Sequence, residues 1–65
     1  MSNLQLKAPP GKFRVVGVDT FEQPTADYLI GDFTSADEAI QSAKQRTGVM
    51  NPVYVYNDAG ILLFP

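Results

Sequence analysis

The last strands of this chain are apolar on both faces, and the sequence offers a single helix to cover them. Residues 52–56 (PVYVY) and 61–64 (ILLF) read as two strands of a hairpin. At strand periodicity Val53, Val55, Ile61 and Leu63 share one face, and Tyr54, Tyr56, Leu62 and Phe64 share the other. A sheet with water on one side normally alternates apolar with polar. Here both sides call for cover, which points to a partner, most simply a second copy of the same chain.

Length sharpens the argument. Sixty-five residues allow one domain, near the lower limit at which a chain buries enough apolar surface to fold alone. No cysteine is present to staple a small core with disulfides or to hold a metal through thiolates. A hydrophobic content of 45% places the chain among globular proteins rather than disordered ones.

The helix announces itself most clearly. Ser35 followed by Glu38 is a capping box, in which hydroxyl and carboxylate serve the free amides of the first turn. Ala36, Ala39, Ile40 and Ala43 then recur at helical spacing. Asp37 and Glu38 at one end and Lys44 and Arg46 at the other match the helix dipole. Gly48 is expected to end the helix in a left-handed conformation, with Val49 or Met50 folding back. Ile40, as the one large residue of the stripe, is the expected anchor.

Before the helix, residues 12–19 (KFRVVGVD) and 28–33 (YLIGDF) are expected strands, with Gly31 marking a bulge or a close approach. Asn57-Asp58-Ala59-Gly60 suits a type I turn with Gly60 in the left-handed region. That turn sets Tyr56 opposite Leu62, Val55 opposite Leu63 and Tyr54 opposite Phe64. The reading is an α+β chain of order β-β-α-β-β. It has one four-stranded, mainly antiparallel sheet and a single helix packed on one face. Residues 1–11, broken by Pro9-Pro10-Gly11, are expected as a flexible tail before a single domain over 12–65. Pattern alone leaves open the strand order and the face that the helix covers.

Functional signals are sparse. Without histidine or cysteine, the usual general base near neutral pH and the most nucleophilic side chain are missing, so no catalytic residue is assigned. A carboxylate pair such as Asp19 and Asp32, meeting at one end of the first hairpin, would be a site for a metal or small molecule. Strand-end, turn and capping roles account for these carboxylates more simply, and no metal or cofactor is assigned. Isolated glycines form no phosphate-binding fingerprint.

Tyr54 and Tyr56 with Phe64 would make an aromatic platform of the kind that stacks single-stranded bases. Lys7, Lys12, Arg14, Lys44 and Arg46 are scattered, however, and the net charge is −2, which disfavours nucleic acid. No apolar run approaches the roughly 20 residues of a membrane span, and the first residues lack the pattern of a signal peptide. The expectation is a cytoplasmic, non-enzymatic domain acting through protein contacts. It is expected to pair with itself or another protein through Tyr54, Tyr56, Leu62 and Phe64 or through a sheet edge.

Overall fold

A computed structural model describes residues 5–21, 26–49 and 51–65. Glu22, Met50 and the connection over 22–25 lie outside the described residues. The elements are β1 (Phe13–Asp19), β2 (Ala26–Phe33), α1 (Ala36–Arg46), β3 (Val53–Tyr56) and β4 (Leu62–Phe64). They form one four-stranded sheet in the order β2-β1-β3-β4, antiparallel at every pairing. The fold is the expected β-β-α-β-β arrangement. Because β1 lies between β2 and β3, the connection through α1 must pass over β1.

Small residues bring α1 down onto the sheet. Ala39 and Ala43 are fully buried against Val15, Val53 and Val55, with Phe13, Ile30, Phe33, Ile40 and Phe64 around this cluster. Ile40 is a flank of the contact rather than its centre. An alanine stripe allows the helix backbone to approach closely, so the β-branched side chains of β1 and β3 supply most of the buried volume.

The ends of α1 divide between expectation and correction. Ser35 is the N-cap with an extended backbone, and its Oγ accepts a hydrogen bond from the Glu38 N–H. The C-terminus does not use Gly48. Thr47 is the C-cap in an extended conformation (φ −67°, ψ 142°), and Gly48 is not among the residues with positive φ. The Thr47 N–H donates to the Ala43 carbonyl, while its Oγ1 accepts from the Val53 N–H at 3.1 Å. One threonine thus closes the helix and starts β3, which makes a left-handed glycine unnecessary. Val49 is 96% exposed and does not fold back.

Two bulges set the faces. Between β1 and β2 the register passes from Val15↔Gly31 to Val16↔Leu29, so Ile30 is the extra residue. Between β3 and β4 it passes from Tyr56↔Leu62 to Val55↔Phe64, so Leu63 is extra. The expected pairing of Tyr56 with Leu62 is present. Val55 with Leu63 and Tyr54 with Phe64 are not, because the bulge moves Phe64 to the helix side beside Val55. Gly60 has the expected positive φ, +80°.

Candidate interaction face

The sheet face away from α1 can be built row by row from the register. One row runs Asp32, Arg14, Tyr56 and Leu62; the next runs Leu29, Val16 and Tyr54; a third pairs Asp27 with Val18. Of the four residues expected to share a face, Tyr54, Tyr56 and Leu62 do so. Phe64 does not, for it packs with the helix-side cluster. The aromatic platform is therefore two tyrosines rather than two tyrosines and a phenylalanine.

This face is less apolar than the C-terminal strands alone suggest. Arg14 Nε and Nη2 donate to the two oxygens of Asp32 at 2.8 and 3.0 Å, a bidentate pair across β1 and β2. The Arg14 hydrogen bond holds the Asp32 carboxyl below its ordinary range, although partial desolvation works against it. The Tyr56 hydroxyl is pushed up, first by desolvation and then by Tyr54 and Asp27. Between these polar groups Val16 is 1% exposed. It is buried on the face that has no helix.

The segment before β1 contributes to that end of the sheet. The Ala8 N–H donates to the Asn57 carbonyl at 3.1 Å, the Gly11 N–H to Asp58 Oδ2 at 2.9 Å, and Arg14 Nη1 to the Gln5 carbonyl at 2.8 Å. Ala8 is itself buried. The chain turns back over 9–12, where the Lys12 N–H donates to the Pro9 carbonyl and Gly11 has a φ of +74°. Residues 5–8 thus form a strap against the β3–β4 turn. That turn is rigid in its own right: Asn57 Oδ1 accepts from the N–H groups of both Ala59 and Ile61 at 2.9 Å.

Exposed apolar side chains gather on β4 and just before it. Ile61, Leu62 and Leu63 are 58%, 47% and 37% exposed. They occupy an edge of the sheet and carry no charge. The other edge, β2, carries Asp27 and Asp32, the kind of residue that keeps an edge from pairing with other strands. Strand periodicity places Ile61 and Leu63 on one face with Val53 and Val55, yet Val53 and Val55 are buried and Ile61 and Leu63 are exposed. A local pattern contains no signal for which strand ends at an edge.

Asp19 and Asp32 do not meet. Asp19 pairs with Ala26 and Asp32 with Arg14, at opposite ends of β1, so the proposed carboxylate site is not assembled. The Asp19 oxygen instead accepts from the Phe21 N–H in a local turn. Among the described residues no three carboxylates gather in metal-binding geometry, and no helix is long and apolar enough to cross a membrane. Compared with protein-family models, curated proteins and solved structures, the chain matches none.

Proposed function

We propose that this chain is a small protein-interaction domain without catalytic chemistry and that it associates with itself. The observation that carries this reading is the contiguous exposure of Ile61, Leu62 and Leu63 on an uncharged sheet edge. Leu62 extends that patch onto the face of Tyr54 and Tyr56. Tyrosine suits such a border, since its ring supplies buried area while its hydroxyl stays wet. Burying the whole face would also desolvate the Arg14–Asp32 pair, which is costly. The edge and its adjoining rim therefore form the better contact.

Light scattering across a micromolar-to-millimolar concentration series tests the reading with wild type, Leu62→Lys and Tyr56→Lys. Wild type is expected to approach the mass of a dimer. Leu62→Lys is expected to remain monomeric with unchanged circular dichroism, and Tyr56→Lys to weaken association less. A wild type that stays monomeric throughout defeats self-association.

A further inference from the structure

We propose that two copies of this chain exchange their N-terminal straps, each docking residues 5–8 on the β3–β4 turn of the other. The proposal rests on the self-association reading and specifies its geometry.

The strap has the features of an exchangeable element. Among the described residues its polar contacts, with those of the turn behind it, are Ala8 to Asn57, Gly11 to Asp58, Gln5 to Arg14 and Lys12 to Pro9. The Gly11–Asp58 and Gln5–Arg14 bonds are solvent-exposed, so opening them costs little. An open groove of about 330 Å³ is lined by Gln5, Lys7, Ala8, Pro9, Pro10 and Arg14. Ala8 is buried while Gln5, Leu6 and Lys7 are exposed, so within residues 5–8 one small side chain anchors the strap.

The connection behind the strap is a ready hinge. Pro9 and Pro10 restrict their own φ angles, which leaves Gly11, at φ +74°, as the residue that turns the chain back. Glycine adopts extended backbone as easily as left-handed backbone. A change at Gly11 alone would swing residues 5–8 away from their own sheet without straining a side chain.

Exchange recreates the strap's contacts in trans, so those contacts do not choose between the closed and exchanged forms. The choice falls to the hinge and to any new surface buried where the copies meet. The strap docks on the turn that leads directly into Ile61 and Leu62, so exchange would bring the exposed apolar edges near one another. A contact of three or four edge residues falls short of the roughly 800 Å² per partner of a typical stable interface. The exchanged straps enlarge the interface without shifting the balance, since the closed form makes the same contacts. The edge contact therefore supplies the preference for the dimer.

A cross-linking experiment reads the exchange directly. A Cβ at Gly60 would sit 3.8 Å from the Lys7 Cβ, the separation found in disulfides, and the chain has no cysteine to compete. Gly60 has a φ of +80°, so Gly60→Cys strains the turn. The strain is common to the closed and exchanged forms, and urea unfolding of the Gly60→Cys chain checks that it still folds. Equal amounts of Lys7→Cys and Gly60→Cys chains are mixed, unfolded and refolded together, and mildly oxidised over a concentration series. Mass spectrometry then separates disulfides that join the two variants from those that join like chains. Strap exchange predicts a mixed disulfide several-fold above its statistical share, rising with concentration. It also predicts a further rise when Gly11→Ala, which disfavours positive φ, is added to both chains. A mixed disulfide at its statistical share in both backgrounds overturns the exchange. If wild type is dimeric by light scattering in that case, self-association stands by another mode; if it is monomeric, both readings fall.

Discussion

Val15 and Val16 are neighbours on β1, equally buried, and yet they lie in two different kinds of core. Val15 faces α1 and is surrounded by Ala39, Ala43, Val53 and Val55, all closed off from water. Val16 faces away, between Leu29 and Tyr54 across the strands, with Leu29 46% exposed. A second layer of secondary structure seals the first side. The second is covered by side chains standing on the sheet itself, with the Arg14–Asp32 pair and the strap at one end. The comparison teaches how a sheet with one covering helix can bury a residue on both faces. It encloses one face with a helix and shields the other with long, partly wet side chains.

The largest expected effect would break this comparison outright. Val15→Ala removes two methyl groups' worth of packing from a rigid site and is expected to cost about 2 kcal/mol. Val16→Ala is expected to cost about 1 kcal/mol, because half-exposed neighbours can relax into the space. Urea unfolding of both variants, with slopes compared to wild type, measures the difference. Equal costs would show that the open face is as tightly packed as the helix face.

A smaller effect sharpens the helix side, where Tyr28 lies over Gly17. A Cβ at Gly17 would come within 2.3 Å of Tyr28 Cζ, so the glycine makes room for the ring. Gly17→Ala is expected to cost about 1 kcal/mol, and the same change in a Tyr28→Ala background to be neutral or stabilising. Additive effects in the double-mutant cycle would mean that the ring does not need the space.

The smallest effect belongs to the open side. Arg14 lowers the Asp32 pKa in the folded state, so the pair stabilises the fold above the unfolded carboxylate pKa. That contribution fades as pH falls through the lower folded value. With both groups partly exposed, it is expected to be about 0.5 kcal/mol. Asp32→Asn should lower stability at pH 7 by that amount and flatten the acid limb of a stability–pH curve below about pH 4. An unchanged acid limb would assign no stability to the pair.

Much of this protein was determined locally and could be read from residue order. The capping serine and alanine stripe place α1, because capping and helical periodicity act within a few residues. Gly60 takes its positive φ because the turn geometry requires it there. Other features arise only when distant segments meet. The bulges at Ile30 and Leu63 depend on how strands pair, and one extra residue sends Phe64 to the helix side and removes it from the tyrosine face. Thr47 ends the helix because its hydroxyl can reach the Val53 amide, a contact that displaces the expected role of Gly48. Arg14 finds Asp32 across a register, and Asp19 is separated from Asp32 by the same register. The strap and the uncharged β4 edge belong to this class as well. Hydrogen-bond register and strand order are properties of the assembled sheet, and no single segment carries them.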